Sequence, residues 1–190
     1  MYIQDVFHSN TGISQFRLEE SNSDKAVLYT LYGQNELSKD LFRGPEYVVA
    51  CKQIKLLRTN STLHEGDLVF STISGEATVV GADHEGYILT QNYVRMVPVP
   101  QNVVDTKYIA FLINESPEIK RYFRQNLQGS QVVRYSLNLL KKVPLPPLPS
   151  IEKQRIIGDI YYKQLKLQAL QQRVAINQGT IKMAMLRGVN

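Results

Sequence analysis

An acid upstream of a Glu-x-Lys triplet, Asp105 before Glu118-Ile119-Lys120, sets two carboxylates and an ammonium in the pattern of metal-dependent phosphodiester cleavage. The pattern is weak: with 17 acidic residues among 190, an acid-x-Lys string arises roughly once by chance. Glu118 also reads as the acidic residue of a helix start, and the strand context that such chemistry needs is absent. His8, His64, His84 and Cys51 are scattered, with no CxxC or HxxxH spacing for a metal. The sequence has no glycine-rich phosphate loop, dinucleotide fingerprint or GxSxG elbow.

Side chains that both donate and accept hydrogen bonds gather instead in three strings. These are Ser71-Thr72-Ile73-Ser74, Thr90-Gln91-Asn92-Tyr93 and Gln128-Gly129-Ser130-Gln131. Such groups suit base edges, where Asn or Gln pairs with adenine and Arg with guanine. Cations at Arg43, Lys52, Lys55, Arg58, Arg121, Arg124 and Arg134 suit phosphates. The candidate DNA contacts are therefore Arg43, Lys55, Arg58, Ser71, Thr72, Ser74, Gln91, Asn92, Arg121, Arg124, Gln128, Ser130 and Arg134. Each one singly has a plainer reading as a turn residue or a solvated charge; only the set has weight.

Charge is divided along the chain. Residues 1–106 hold 8 Lys/Arg against 13 Asp/Glu, and residues 107–190 hold 14 against 4. A basic C-terminal half implies a polyanion partner, nucleic acid foremost, or else a solvated basic helix. The longest apolar runs, Tyr47–Cys51 and Ile109–Ile113, are too short to span a bilayer, and the N-terminus lacks a secretory layout. One cysteine forms no internal disulfide, so the expectation is a cytoplasmic protein that no membrane holds.

Two kinds of element must position these residues. Strands are predicted at Ala26–Leu31, Tyr47–Ala50, Asp67–Ile73, Thr78–Val80, Tyr87–Leu89 and Tyr93–Val97, each rich in β-branched and aromatic residues. Turns fall at Glu65-Gly66-Asp67, Ser74-Gly75-Glu76 and His84-Glu85-Gly86. Helical spacing begins at Thr106–Asn114 and continues from Pro117 to Leu127. In the second segment Ile119, Tyr122 and Phe123 face inward and Lys120, Arg121 and Arg124 outward. Ser116-Pro117-Glu118 is a helix start.

Val143-Pro144-Leu145-Pro146-Pro147-Leu148-Pro149 is an extended, stiff strut. Beyond the N-cap candidate Ser150, residues 151–188 read as one helix about 57 Å long. Ile160, Leu167, Val174 and Ile181 recur every seven residues, with Leu170 and Ala184 on a second seam that Lys163 and Asn177 interrupt. The front of the chain offers no helix of equal length to cover this stripe, so a second copy is favoured.

The succession Glu65–Thr72, Thr90–Arg95 and Lys107–Leu112, with the Gln128-Gly129-Ser130 turn leading to Leu137 and Leu140, resembles the target-recognition domain of type I restriction–modification specificity subunits. The most specific part is Val143–Leu148 followed by Glu152-Lys153-Gln154-Arg155-Ile156 and a long helix. In that family a proline-rich strut, commonly followed by Glu-Gln and an apolar residue, enters a spacer helix; here Lys153 separates Glu152 from Gln154. The resemblance covers roughly residues 60–185.

It implies an α+β chain: a mixed α/β recognition domain over 1–142, a strut over 143–150 and a spacer or dimerisation helix over 151–190. The chain itself would be non-catalytic. It would bind double-stranded DNA and direct methyltransferase and restriction subunits to a two-part site, with S-adenosylmethionine, ATP and Mg²⁺ belonging to those partners. Family members usually carry two recognition domains and two spacer helices, and this chain carries one of each. A half-size subunit, a truncated product and a shuffled cassette all remain open, and the unpaired stripe (Ile160, Leu167, Leu170, Val174, Ile181) favours a homodimer. The competing readings are a metal-dependent DNA-cleaving enzyme built on Asp105, Glu118 and Lys120, and a protein-binding scaffold without sequence readout.

Overall fold

Leu68, Val69, Phe70 and Ser71 are buried in succession, and the rest of the fold is arranged around this strand. The computed structural model describes residues 1–14, 18–43, 51–57, 59, 61–127 and 134–188. In chain order the elements are α1 (Ile3–Val6), β1 (Phe7–Thr11), β2 (Val27–Tyr32), α2 (Gln34–Asp40), β3 (Gln53–Leu56), β4 (Leu68–Ser71) and β5 (Ala77–Val79). They continue with β6 (Ile88–Leu89), β7 (Tyr93–Pro98), α3 (Thr106–Glu115), α4 (Pro117–Leu127), α5 (Leu137–Lys141) and α6 (Ile151–Arg187).

The antiparallel main sheet has the order β1-β7-β4-β5, with Phe70 opposite Val94 and Ala77. A smaller sheet, β3-β2-β6, pairs β2 antiparallel to β3 and parallel to β6. The expected α+β class holds. Gly66, Gly75 and Gly86 sit at positive φ in the three expected turns, a conformation that glycine adopts without a steric cost. The predicted strand Tyr47–Ala50 lies outside the described residues. Two strands escaped the periodicity: β1 buries only Phe7 fully, and β3 only Leu56, which leaves no alternation to read.

Ile109, Ala110, Leu112 and Ile113 of α3 join Leu68, Phe70 and Ala77 in the main core. The outer edge of β5 is closed by side chains. The Asn114 amide donates to the Ala77 carbonyl at 2.7 Å and accepts the Ala77 N–H at 2.8 Å, while the Tyr162 hydroxyl accepts the Val79 N–H at 2.7 Å. A buried sheet edge thus keeps its backbone groups satisfied without another strand. Just beyond β5, Asp40 at the end of α2 accepts from the Gly81 N–H at 3.1 Å and the Tyr32 hydroxyl at 2.7 Å and meets His84 Nδ1 at 2.8 Å.

The strut is packed against the N-terminal residues, with one antiparallel bridge between Tyr2 and Pro144. Ile3 N–H donates to the Val143 carbonyl and Leu145 N–H to the Met1 carbonyl, at 3.1 and 2.9 Å. Val143 and Leu145 are buried while Pro144, Pro146 and Pro147 face out. Ser150 stands at the N-cap of α6 but makes no capping bond; its hydroxyl instead meets Glu152, whose pKa is lowered by its own backbone N–H and that hydroxyl.

The first half of α6 docks on α3, through a face other than the stripe. Gln154, Gly158, Tyr161 and Leu165 are buried. Gln154 accepts the Asp105 N–H at 3.1 Å, Lys107 pairs with Asp159 at 2.7 Å, and a Cβ on Gly158 would stand 2.8 Å from the Tyr108 nitrogen. At about 100° per residue the stripe lies nearly opposite this face. Ile160, Leu167, Leu170, Val174 and Ile181 are each about half exposed or more. α3, ten residues against the 37 of α6, receives the first turns of the long helix through this other face, and the stripe faces away from it.

Candidate nucleic-acid interface

Two of the three polar strings meet at one end of the main sheet. Thr72 receives its neighbours there: its N–H and hydroxyl both donate to the Asn92 carbonyl at 2.9 Å, and its own carbonyl accepts the Tyr135 N–H at 3.0 Å. The β4–β5 turn, the β6–β7 turn and the chain entering α5 are thereby joined, although they are far apart in sequence. Gly75 allows this closeness, since a Cβ there would overlap the Tyr135 ring. Gln91 is exposed and Asn92 half-buried at this end.

A groove of about 570 Å³ opens beside the turn, lined by Arg43, Ser74, Glu76, Glu115, Lys120, Arg124 and Tyr135 among others. Arg43, at the end of α2, forms an ion pair with Glu76, and Lys120 pairs with Glu115 at 3.2 Å. Arg121 and Arg124 are exposed on α4, and Arg134 is exposed just before Tyr135. The groove thus combines three cations with two carboxylates.

The candidate residues separate accordingly. Arg43, Ser74 and Arg124 line the groove; Thr72, Gln91 and Asn92 lie at the adjoining sheet end; Lys55 is exposed on β3, in the smaller sheet. Arg58, Gln128 and Ser130 lie outside the described residues. Ser71 requires correction. It is fully buried, and its hydroxyl accepts the N–H groups of Ile73 and Ser74 at 3.2 and 3.1 Å and donates to Gln34 at 3.3 Å. Thr72 is likewise committed to the turn through its hydroxyl. Ser74 Oγ is buried with no partner among the described residues. Glu76, Glu115 and Tyr135 were missed as site residues because nothing local marks them; Lys120 stood out in the sequence for the cleavage pattern and for the outward face of its helix, not as a groove cation.

That pattern does not assemble. Asp105 caps α3, accepting the Tyr108 N–H at 2.8 Å, whereas Glu118 stands beyond the other end of that helix, with about 15 Å of α3 between them. Glu118 accepts from the Ser116 hydroxyl at 2.7 Å, and this bond, its own backbone N–H and nearby Arg121 lower its pKa. Lys120 is held by Glu115. Each residue has a structural task at a separate place.

No helix among the described residues is long and apolar enough to cross a membrane. No curated protein matches the chain. Its fold is similar to that of the type I restriction-modification system S subunit from M. genitalium, at 10% identity and a TM-score of 0.56, covering 98% of this chain and 43% of that one. The HsdS subunit from Thermoanaerobacter tengcongensis matches at 15% identity and a TM-score of 0.57, covering 92% and 38%. A structure described as the basis of complex assembly and conformational transition of the type I R-M system matches at 15% and 0.60, covering 98% and 42%. The chain spans about two-fifths of the length of each of these proteins. The family described as the type I restriction modification DNA specificity domain matches residues 1–182, and the chain belongs to that family.

Proposed function

We propose that this chain is a non-catalytic, sequence-specific DNA-binding specificity subunit of a type I restriction–modification system. The observation that carries the reading is the convergence on Thr72 of segments flagged separately for base contact, beside a groove holding Arg43, Lys120 and Arg124. Residues 1–142 are the reader, 143–150 the strut and 151–190 the spacer. Gln91 and Asn92 are base-contact candidates, and Arg43, Arg121, Arg124 and Arg134 phosphate contacts. Methyltransferase and restriction subunits are the protein partners, and S-adenosylmethionine, ATP and Mg²⁺ act in them. Mapping adenine methylation in cells that carry this chain with its neighbouring methyltransferase tests the reading. Methylation confined to one sequence supports it, and methylation independent of the chain overturns it.

The outward stripe supports a homodimer through α6. Residues 166–187 extend about 33 Å beyond the docked turns, with every side chain exposed apart from half-buried Ala169. A two-fold pair supplies each helix with the same edge, and two identical readers then take an inverted repeat. An antiparallel pair sets them apart by more than one DNA turn of about 34–36 Å. Sedimentation of the chain and of its Leu167→Asp and Val174→Asp variants distinguishes the outcomes. A dimer lost in both variants supports pairing; a monomer at all concentrations excludes it.

A further inference from the structure

The groove carries its own competitors for its cations. Arg43 is held by Glu76, with side chains 47% and 33% exposed, and Lys120 by Glu115, at 50% and 39%. Ion pairs this open to water are weak and readily exchanged. The two carboxylates are not equally free to leave. Glu115 also accepts from the Tyr161 hydroxyl at 3.3 Å, and Asn114 donates to that hydroxyl at 3.1 Å, so it is anchored to the docked part of α6. Glu76 immediately precedes the edge strand β5 that Asn114 holds, and its carbonyl accepts the Ser71 N–H at 2.8 Å. When a cation swings away, the Glu115 carboxylate therefore stays at the groove wall, and Glu76 keeps its place in the lining through its backbone.

We infer that Glu76 and Glu115 form an electrostatic latch that suppresses sequence-independent binding of the DNA backbone in this groove. The inference rests on the DNA-recognition reading. A phosphate that enters without other contacts must displace a carboxylate from Arg43 or Lys120 and then lie beside that carboxylate, which repels it. A duplex whose base edges engage the neighbouring sheet end offsets this repulsion with contacts that only the right sequence makes. The carboxylates thus reduce affinity for every sequence and leave discrimination to the base contacts. They regulate the phosphate-binding part of the site without touching a base.

The test measures how affinity for a pool of short randomised duplexes depends on salt. It compares the whole chain with Glu76→Gln, Glu115→Gln, the double variant and Glu152→Gln. Glutamine keeps the shape and hydrogen-bond reach of each side chain. Glu152→Gln makes the same charge change at the start of α6, away from the groove lining. The latch requires the double variant to bind the pool more tightly, with a slope of log affinity against log salt steeper by about 0.9 for each cation set free. Double-variant slopes equal to that of Glu152→Gln, or weaker binding to the pool, overturn the latch. If neither the wild-type chain nor the double variant has affinity for the pool at low salt, the recognition reading and the latch fall together. A wild-type chain that binds, with groove variants matching the control, fells the latch alone.

Discussion

The Tyr162 hydroxyl accepts the Val79 N–H at 2.7 Å across 83 residues of sequence, and this bond joins the long helix to the outer strand of the main sheet. Phenylalanine at 162 retains the ring but leaves a buried edge N–H without its acceptor. Such a loss costs about 1–3 kcal/mol. Urea unfolding of Tyr162→Phe should show that fall in stability; an unchanged midpoint would mean that water replaces the hydroxyl.

Two helical glycines in α6 should respond oppositely to alanine. At Gly158 the new Cβ meets Asp105 Oδ1, Lys107 Cβ and the Tyr108 nitrogen, each at 2.8 Å, so α3 must move. Overpacking of this kind costs about 1–3 kcal/mol, against a helix-propensity gain of up to about 1 kcal/mol. Gly179 has nothing within 4 Å, so alanine there should stabilise by about 0.5–1 kcal/mol. Thermal unfolding of the two variants gives shifts of opposite sign.

Alkaline pH should unfold the protein from about pH 10, where tyrosine ionises in an unfolded chain. Burial first, then Asp40, raises the Tyr32 pKa; burial, then Glu36, raises Tyr93 to about 12; burial raises Tyr162 as well. A group whose pKa is raised by folding contributes stability that is complete below its unfolded pKa and is lost as pH climbs toward the folded value. Phenolate absorbance and circular dichroism should therefore change together. Free titration of these phenols before any loss of structure would contradict their burial.

Substitutions at the interface should divide into two kinds. Alanine at Gln91 or Asn92 should alter the preferred sequence, by about 1–3 kcal/mol at one base pair if the side chain makes a bidentate contact. Alanine at Arg121, Arg124 and Arg134 together should weaken binding to all sequences and flatten the salt dependence by about 0.9 per lost phosphate contact. Binding to mutated duplexes at several salt concentrations reads both. A variant of Asn92 that loses thermal stability but keeps its preference would show a turn residue only.

The local elements were legible because their causes are local. The helix start at Ser116-Pro117-Glu118, the inward Ile119 and Phe123, the positive-φ glycines and the unbroken run from Ile151 all follow from short-range geometry and periodicity. The extended strut is equally local, since proline restricts its own φ and its predecessor. Tertiary structure alone decided which face of α6 docks. Gln154, Gly158 and Tyr161 look unlike a hydrophobic seam, because their contact relies on a missing Cβ and on hydrogen bonds to partners as distant as residues 105 and 114. It also decided that Ser71, polar and in a promising string, turns inward, while Glu76 and Glu115 meet Arg43 and Lys120 in one groove. Periodicity records how a segment faces a core; it carries no trace of a pairing made across dozens of residues, where the chain path sets the distance.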